Sequence, residues 1–424
     1  MKSSDILGMN ARNQIYERLN SSQAKSICTS KYATKIVLED HDIPTAKIYA
    51  VFATTEDVHE FDWLKLTENF VIKPTNGHAG KGVVAFRLQK DDYWIDILGK
   101  HWSLEDIKLH CFDTLEGQYS THGTNHNVIV EERVITHHKL RKYSYKGTPD
   151  VRVFVFNSVP VMAALRLPTA ESEGRANISQ GAISVGIDIA SGVTTYGMAH
   201  KNQFIKYLPD SKRKLSGIQL PFWKQTLLTA VKTAQAVGIV YSGVDLFIDE
   251  EKGPMVAEIN AYPGLSFQFC NRSGLKRRLQ RVESLNVLNA DHGVRIGRAL
   301  FAEIFSDKIK ADEGLQILNY QEKIKVKHDD RNDFKEADAL FDTGRFRSAI
   351  ALSLAEDLDL VDWDDLLWFQ QEGGEGKRPV VEAVLKIKDR KIKTSLIVSK
   401  KLDQRKYKVV IGRKDLPGFL IGEK

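Results

Sequence analysis

Two carboxylates stand at equal distances in sequence on either side of a charged turn, and an amide follows the second carboxylate. Residues 244–249 and 255–260 are predicted strands, and the charged segment between them is the predicted turn. An antiparallel pairing about this turn places Asp245 opposite Glu258, and Asn260, two residues further on, shares their face. Like charges opposite one another destabilise a sheet unless a cation lies between them. Oxygen ligands on rigid strands are those that Mg²⁺ prefers, and the alternative is a solvated face that binds nothing.

A glycine-rich segment with two nearby lysines offers the chemistry that phosphates need. Lys73 ends a short apolar predicted strand, and Lys81 lies among Gly77, Gly80 and Gly82. Glycines let backbone N–H groups approach phosphate oxygens, and lysines supply positive charge. The segment is not a Walker loop, because no Gly-Lys-Ser/Thr follows at the required spacing. A flexible hairpin turn is the alternative, and only together with the acidic hairpin does the segment become half of a nucleotide site.

The composition is that of a soluble globular protein with two or three domains. The chain has 424 residues, of which 42% are hydrophobic and 27% are charged. No apolar run approaches the roughly 18–20 residues of a membrane span, and the N-terminus lacks the apolar core of a signal peptide. Three cysteines, far apart and odd in number, fit a reduced cytosol, so we expect a cytoplasmic protein. The net charge of +6 suits an anionic substrate, and we expect neither nucleic acid nor a membrane as a partner.

The elements that must position these residues are mostly strands. Predicted helices cover residues 31–41, 222–237 and 294–305. Predicted strands cover residues 47–53, 70–73, 83–87, 128–135, 150–156 and 159–167. Asn157-Ser158 is the predicted turn between the last two strands, and residues 168–181 are a predicted loop. The last ninety or so residues are again rich in predicted strands.

A larger set of short motifs surrounds the candidate residues. In chain order they are Phe70-Val-Ile-Lys73-Pro, Gly77-His-Ala-Gly80-Lys81-Gly82, Val128-Ile-Val-Glu131-Glu132-Arg-Val, Asp150-Val-Arg152-Val, Gly174-Arg175-Ala-Asn177, Gly243-Val-Asp245 and Ala257-Glu258-Ile-Asn260-Ala-Tyr-Pro-Gly264. This ordered set resembles the ATP-grasp superfamily over roughly residues 5–305. Residues 7–13 and 166–169 resemble its alpha-L-glutamate ligase-like branch in particular.

The resemblance implies an α+β fold in which two α+β lobes clasp ATP. A short N-terminal segment covers residues 1–30, the N-terminal lobe residues 31–127, and the C-terminal lobe with the metal site residues 128–310. The implied cofactors are ATP and Mg²⁺, with Mn²⁺ as a substitute.

The resemblance also assigns roles to individual residues. Lys35, Lys73 and Lys81, with Gly77, Gly80 and Gly82, would hold the phosphates of ATP. The segment with Glu131, Glu132 and Val134 would form the hinge beside adenine, and Asn177 would border the same site. Asp245, Glu258 and Asn260 would bind the metal. Arg152, Arg166 and Arg175 would stabilise the γ-phosphoryl group during its transfer or hold the carboxylate substrate.

A second motif lies near the C-terminus. Asp342-Thr343-Gly344 follows an apolar predicted strand, and residues 378–382 and 409–416 follow at suitable distances. Alone, Asp-Thr-Gly is most simply a turn. The set resembles a small all-β retropepsin-like aspartic peptidase domain, of the branch labelled ATP-dependent zinc protease, over residues 316–424. Asp342 would be catalytic only in a homodimer, because two carboxylates must share a proton. Arg345 stands where such domains carry a small alanine, so the alternative is a domain that binds a peptide or the partner chain.

The leading function is therefore an ATP-dependent ligase that joins a carboxylate to an amine through an acylphosphate. The substrates would be small molecules or peptides, with glutamate among the candidates. A phosphotransferase of the same superfamily and a peptide-binding or peptidase protein with a regulatory ATP-grasp part remain as alternatives. We interpret His137-His138 as solvent-exposed histidines and not as zinc ligands.

Overall fold

The structure is a computed structural model, and it describes residues 3–66, 69–76, 80–90, 93–119, 126–302, 316–364, 366–372, 375–417 and 419–422. The chain divides into two compact units. The first comprises Met1–Ile187 with Gly192–Gln280, and the second comprises Asp188–Ser191 with Arg281–Lys424. The domain boundaries predicted at residues 30, 127 and 310 stay predictions.

The first unit holds two sheets, of which the first carries the predicted phosphate lysines. Its strands, within the described residues, are β1 (Ile48–Phe52), β2 (Phe70–Pro74), β3 (Val84–Lys90), β4 (Tyr93–Asp96), β5 (His101–Ser103) and β6 (Val128–Glu132). They lie in the order β1-β6-β2-β3-β4-β5. Large apolar side chains such as Phe70, Phe86 and Trp94 alternate on these strands and are fully buried, which fixes one face of the sheet towards the core.

The second sheet carries the acidic hairpin. Its described strands are β7 (Asp150–Phe156), β8 (Val159–Leu167), β9 (Ile183–Ile187), β10 (Thr194–Met198), β11 (Phe204–Ile205), β12 (Tyr241–Asp249) and β13 (Gly253–Asn260). They lie in the order β11-β10-β9-β8-β7-β12-β13, and neighbours are antiparallel. Asn157 and Ser158 have φ of 51° and 58°, so the predicted two-residue turn forms in the left-handed conformation that suits a hairpin.

Short helices fill in around the sheets of the first unit. They are α1 (Met9–Ala11), α2 (Ser22–Thr29), α3 (Lys31–Asp40), α4 (Thr55–Glu60), α5 (Leu104–Leu115), α6 (His138–Arg141), α7 (Trp223–Val237) and α8 (Phe267–Cys270), while α9 (Leu275–Val282) crosses the division between the units. α7 covers the apolar side of β12 and β13, where Val244, Leu246 and Ile248 are buried. It ends at Gly238, whose φ of 70° favours glycine.

The second unit is rich in strands, as predicted. Its described strands are β14 (Gln316–Leu318), β15 (Gln321–Lys327), β16 (Lys335–Asp342), β17 (Ala349–Ala351), β18 (Trp368–Glu372), β19 (Glu375–Ile387), β20 (Arg390–Ser399), β21 (Val409–Gly412) and β22 (Phe419–Ile421). The order β15-β16-β21-β17-β20-β19 returns to β15, so these strands close into a barrel, and β18 extends from β19. The unit also contains α10 (Ala290–Leu300) and α11 (Leu352–Asp357), and α11 is the α-helix described within residues 316–424, where the prediction was a small all-β domain.

The predicted elements differ from the observed ones mainly at their ends. The last predicted helix begins earlier, as α10, because the Asn289 side chain accepts a hydrogen bond from the His292 N–H and caps it. The strands β4, β5, β9, β10 and β11 were not predicted. All three cysteines are free thiols. Within the described parts of the chain, every helix is too short or too polar to cross a membrane.

Candidate active site

The predicted acidic hairpin forms, and a β-bulge sets its register. Asp245 pairs with Glu258, as predicted, but nearer the turn Leu246 pairs with Val256. Ala257 is therefore the extra residue of a bulge, which shifts the pairing by one position. Without the bulge Asp245 would face Ala257, and the Glu258 side chain would lie on the opposite face of the sheet.

Two arginines donate hydrogen bonds to the buried Asp245, which is 1% exposed. Arg152 lies opposite Asp245 on the neighbouring strand, and its Nε and Nη2 donate to Oδ1 and Oδ2, both at 2.5 Å. Arg166 Nη2 donates to Asp245 Oδ2 at 2.6 Å. Arg166 also binds Asp150 through two further hydrogen bonds, one of them from Nε to Oδ1 at 2.5 Å. Such bidentate pairs fix both the position and the plane of a guanidinium.

We call Asp150, Arg152, Arg166, Asp245 and Glu258 the carboxylate–arginine cluster. Burial alone would raise the pKa of Asp245, but Arg152 and Arg166 outweigh it and hold that pKa at about 2. Burial raises the pKa of Asp150 to about 7 against the attraction of Arg166. With all three carboxylates ionised, the cluster keeps one negative charge that the two guanidiniums do not balance.

The donor set of this cluster fits Mg²⁺. Asp245 Oδ2 already accepts from two guanidiniums, whereas Oδ1 accepts from one and keeps a lone pair. The Glu258 side chain is 38% exposed, so its carboxylate can be reached. Asn260 Nδ2 donates to Glu258 Oε1 at 3.2 Å, which leaves the amide oxygen of Asn260 as a further ligand. Hard oxygen donors with remaining water positions are the usual surroundings of Mg²⁺.

On the first sheet, a buried carboxylate joins two of the predicted phosphate lysines. Glu131 Oε1 lies 2.6 Å from Lys73 Nζ, and Glu131 Oε2 lies 2.9 Å from Lys35 Nζ. Burial would raise the pKa of Glu131, but Lys73 and Lys35 outweigh it and lower that pKa. Lys35 Nζ also donates to Ala46 O at 2.5 Å and to Thr45 Oγ1 at 3.1 Å, so protein acceptors occupy the Lys35 ammonium group.

Lys31 is a further cation near the site, and it was not among the predicted site residues. Burial lowers the pKa of Lys31. The positive charge of Lys73 also lowers this pKa, whereas the negative charges of Glu258 and Glu131 raise it. Lys31 therefore lies within electrostatic reach of both sheets. The signal was present in the sequence, because Lys31 and Lys35 are four residues apart on a predicted helix and share a face. Asp150 was also missed, although it stands two residues before Arg152 on one strand.

The predicted hinge residues have different surroundings. The Glu131 side chain faces the lysines, while the Glu132 side chain pairs with Lys252. Val134 is buried in a small apolar cluster with Ala46 and Met255. The chain thus offers an apolar wall directly after the last strand of the first sheet.

The glycine-rich segment is described from Gly80 onward, and Gly77 lies outside the described residues. Gly80 and Gly82 both have φ of 72°, a conformation that favours glycine. A Cβ added at Gly80 would lie 3.3 Å from Arg175 Cδ, so this segment contacts the loop that carries Arg175. The Lys81 side chain is exposed.

Arg175 and Asn177 lie on the loop between β8 and β9. Arg175 Nη1 is 3.1 Å from Glu173 Oε2, and the Arg175 side chain is 41% exposed. Asn177 Oδ1 accepts from Ser179 N at 3.1 Å and caps a short 3₁₀ turn. The Asn177 amide oxygen thus shapes the loop itself.

Asp342 belongs to the second unit and lies at the end of β16, where it pairs with Gly412 of the parallel strand β21. Asp342 Oδ1 accepts from Gly344 N at 2.9 Å and from Arg345 N at 3.3 Å. These bonds brace the turn that follows the strand.

His137, His138 and Glu250 form a separate group that could hold a metal ion. The exposure predicted for both histidines is wrong for His137, which is 7% exposed. His137 Nδ1 accepts from Lys139 N at 3.2 Å, and His138 Nδ1 lies 2.6 Å from Glu250 Oε1. These bonds occupy ligand atoms, and Arg141 lies 3.5 Å from Glu250, so we assign no metal to this group.

Comparison with known proteins gives one family and a more distant curated relative. The sugar-transfer associated ATP-grasp family matches residues 10–284. A probable alpha-L-glutamate ligase from Aliivibrio fischeri (strain MJ11) is 28% identical over 143 residues, which are 34% of this chain and 33% of that protein. The alignment thus spans about a third of the length of that relative.

Solved structures with similarity include two further ligases. The ATP-grasp ligase PsnB, complexed with a minimal precursor, Mg and ADP, has a TM-score of 0.36 at 16% identity, covering 63% of this chain and 61% of that one. D-alanine–D-alanine ligase from Bacillus anthracis, complexed with ATP, has a TM-score of 0.36 at 14% identity, covering 70% and 71%.

Proposed function

The chain belongs to the sugar-transfer associated ATP-grasp family, and from that premise we propose that it is an ATP-dependent ligase that joins a carboxylate to an amine. The observation that carries the proposal is the arrangement within the first unit. Lys35 binds Glu131 on the first sheet and donates to Thr45 Oγ1, which in turn donates to Val256 O on β13 of the acidic hairpin. The two halves would then supply a metal site and a phosphate site on neighbouring sheets.

In this proposal the triphosphate lies along the lysines. Lys73 supplies charge from the end of β2, and Lys81 does so from the glycine-rich segment with Gly77, Gly80 and Gly82. Lys35 acts indirectly, because its ammonium group is already bonded to Ala46, Thr45 and Glu131. Its role is to hold Glu131, which in turn orients Lys73.

Adenine would lie beside the segment Glu131, Glu132 and Val134. The apolar surface of Val134, Ala46 and Met255 is suited to the face of a purine ring, and backbone groups of the segment would bind its edge. Asn177 and Arg175 would border the same site from the loop between β8 and β9.

Asp245, Glu258 and Asn260 would hold Mg²⁺, and Mn²⁺ could replace it. When bound, this ion would neutralise charge on the phosphate oxygens. Asp245 also has a second task, since it fixes the Arg152 and Arg166 guanidiniums in a buried position. Fixed cations stabilise developing negative charge without reorganising.

The reaction would run in two steps. An oxygen of the substrate carboxylate attacks the γ-phosphorus, and the bond between the γ-phosphorus and the β-phosphate oxygen breaks. The products of this step are an acylphosphate and ADP. An amine then attacks the acyl carbon, phosphate leaves, and the amine loses a proton. Arg152, Arg166 and Arg175 would stabilise the transferring group or hold the substrate carboxylate. Guanidiniums are suited to both tasks because they bind two oxygens at once.

For the substrate we propose an amino acid such as glutamate, or a peptide, in line with the resemblance to the alpha-L-glutamate ligase-like branch. The lobes would be residues 31–127 and 128–310. A phosphotransferase that uses the same site is the alternative within the superfamily. The acceptor distinguishes the ligase from the phosphotransferase, since only the ligase requires an amine.

The test measures ADP formation by the full-length chain with Mg²⁺ while amino acids and peptides are screened in pairs. We expect ADP formation to require both a carboxylate and an amine. The double variant Glu258→Gln with Asn260→Ala should lower that rate about 100- to 1,000-fold, while Glu251→Gln on the same hairpin leaves it unchanged. Full turnover in the double variant would refute the metal assignment, and phosphate on an acceptor without an amine would identify the phosphotransferase.

A second candidate function concerns the second unit. We propose, as the sequence suggests, that Asp342 serves an aspartic peptidase site in a homodimer. In support, Asp342 ends a strand beside Gly412, and its carboxylate is braced by the N–H of Gly344. Peptide hydrolysis should then rise with the square of protein concentration at low concentration and vanish in Asp342→Ala. Hydrolysis that persists in the variant would refute this assignment.

A further inference from the structure

The glycine-rich segment packs against a histidine and a tyrosine at its C-terminal end. His110 lies on α5 and is buried, and Tyr119 follows that helix and is half-buried. His110 Nε2 lies 3.0 Å from Gly82 O, and Tyr119 OH lies 3.4 Å from His110 Nδ1. We call His110 and Tyr119 the histidine–tyrosine pair. Neither residue was among the predicted site residues.

The two residues meet because the chain turns back at the end of α5. Gly117, two residues after the last residue of the helix, has φ of 90°, a conformation that favours glycine. Its N–H donates to Thr114 O at 3.1 Å and closes the turn. The Tyr119 ring therefore lies beside the His110 ring, with 5.2 Å between the ring centroids.

The hydrogen bonds of His110 fix the position of its proton. Burial lowers the pKa of His110 from its ordinary value of 6.5, although the hydrogen bond to Gly82 raises it, so the ring is neutral at pH 7. Because the Gly82 carbonyl oxygen can only accept, the single ring proton lies on Nε2. Nδ1 is then the acceptor for the Tyr119 hydroxyl. The tyrosine thus orients the histidine, and the histidine orients the Gly82 carbonyl group.

The tyrosine ring also contacts Gly82 directly. A Cβ added at Gly82 would lie 2.6 Å from Tyr119 Cγ, so the ring occupies the space that a side chain would need. At its other described end, the segment contacts the loop that carries Arg175, since a Cβ added at Gly80 would lie 3.3 Å from Arg175 Cδ. The segment is therefore held at Gly82 by residues of the first sheet's own helix.

Fixing this segment before a ligand binds has an energetic consequence. Glycines with positive φ have many alternative conformations, so ordering them around a phosphate group costs conformational entropy. A segment that is already ordered avoids part of that cost and binds more tightly. Trp102 on β5 contributes to this order, because its ring packs edge-to-face on the His110 ring at 5.7 Å.

We propose that the histidine–tyrosine pair fixes the glycine-rich segment in the conformation that binds the phosphates of ATP. This inference rests on the ATP-dependent function proposed above and adds two residues to it. His110 and Tyr119 are positioning residues, because they act on the nucleotide through Gly82. Their removal should weaken the binding of phosphate groups and leave the binding of adenosine unchanged.

The first test needs no nucleotide. Hydrogen exchange of the full-length protein, followed by mass spectrometry, reports on peptides that cover residues 80–86. His110→Leu and Tyr119→Ala should each speed this exchange about five- to tenfold, as the loss of one hydrogen bond would. His110→Gln should exchange nearly as slowly as the wild type, because its amide nitrogen can still donate to Gly82 O.

A histidine elsewhere on the same helix surface provides the matched control. His59 is exposed, and its ring packs on Phe112 of α5 at 5.2 Å, so His59→Leu should leave the exchange of residues 80–86 unchanged. The proposal would be overturned by wild-type exchange rates in both His110→Leu and Tyr119→Ala. Exchange of the wild type at the rate of an unstructured peptide would also overturn it. If His110→Leu fails to fold, the half-buried Tyr119 still provides the comparison.

The second test is calorimetric titration with ATP and Mg²⁺ in one arm and adenosine in the other. His110→Leu and Tyr119→Ala should raise the Kd of ATP about five- to tenfold, and His110→Gln should restore it to within about twofold. Equal losses for adenosine and ATP would overturn the proposal, because they would indicate a general disturbance of the fold. A wild-type protein that binds no ATP would refute the proposed function, whereas the exchange rates decide separately whether the pair fixes the segment.

Discussion

Arginines lie near an aspartate in both units of the chain, but the contacts of the aspartate differ. In the carboxylate–arginine cluster, the guanidiniums of Arg152 and Arg166 donate to Asp245, which is 1% exposed. In the second unit, the half-buried Asp342 lines a pocket together with Arg345, Arg378 and Arg405, and it accepts hydrogen bonds from backbone N–H groups. A buried carboxylate that guanidiniums hold beside other carboxylates is suited to a metal ion.

The difference also concerns what each aspartate does for the fold. Asp245 accepts hydrogen bonds from two buried guanidiniums, so its charge is needed to keep them there. Asp342 accepts from backbone N–H groups of the turn that follows it, a task that requires an oxygen but no charge. The same substitution should therefore have unequal effects at the two positions.

The largest expected effect is that of Asp245→Asn. It leaves the Arg152 and Arg166 guanidiniums buried with one carboxylate fewer, and breaking a buried ion pair in this way costs about 3–5 kcal/mol. Urea unfolding followed by tryptophan fluorescence would measure the loss. Glu258→Gln is the control, because its side chain is 38% exposed and should cost less than about 1 kcal/mol. Equal losses in the two variants would show that Asp245 does not hold the arginines.

The next largest effects distinguish the roles of Lys35 and Lys73, the two lysines that contact Glu131. Lys35→Met removes a partner of Glu131, Ala46 and Thr45, and we expect a loss of about 1–3 kcal/mol in stability. Lys73→Met should raise the Kd of ATP about tenfold, and it should also lower stability because Lys73 pairs with Glu131 at 2.6 Å. Thermal unfolding with and without ATP would compare the variants. A Lys35→Met protein with wild-type stability and weak ATP binding would reverse the two roles.

A pH effect follows from the same group. The lysines lower the pKa of Glu131 below its ordinary value of 4.5. Its contribution to stability is therefore present above pH 4.5 and is lost as the pH falls through the lowered pKa. Urea midpoints at pH 7, 5, 4 and 3 should show this loss, and Glu131→Gln should reduce the pH dependence below 4.5. An unchanged slope in that variant would assign the acid sensitivity to other carboxylates.

The sequence predicted the pairs that depend on local rules. The turn at Asn157-Ser158 forms because both residues tolerate positive φ, and Asp245 pairs with Glu258 as predicted. The reason for that pairing was not predictable, because the bulge at Ala257 has no distinct sequence signal. The prediction took residues 250–253 as the turn, whereas Asp249 pairs with Gly253, and the bulge restores the predicted pairing of Asp245 with Glu258.

The contacts between distant segments were not predictable from the sequence. Residues 272–281 are rich in lysine and arginine and contain no aromatic residue. In the fold, the Arg272 guanidinium lies 4.0 Å from the Tyr196 ring centroid and 4.8 Å from that of Phe204. The rings lie on β10 and β11, strands far away in sequence, and neither strand was predicted. Likewise, Lys401 and Arg405 line the same pocket as Arg378 because β19 and β20 pair in the barrel.

The smallest expected effect sharpens the comparison between the two aspartates. Asp342→Asn keeps an oxygen that can accept from Gly344 N and Arg345 N, so its stability should change by less than about 0.5 kcal/mol. Asp342→Ala removes that acceptor and should cost about 1 kcal/mol, as the loss of one such hydrogen bond does. Urea unfolding of both variants beside Asp245→Asn gives the ranking directly. If Asp342→Asn were as costly as Asp245→Asn, the charge of Asp342 would be needed to hold the cations around it. The two aspartates would then have the same role in the fold.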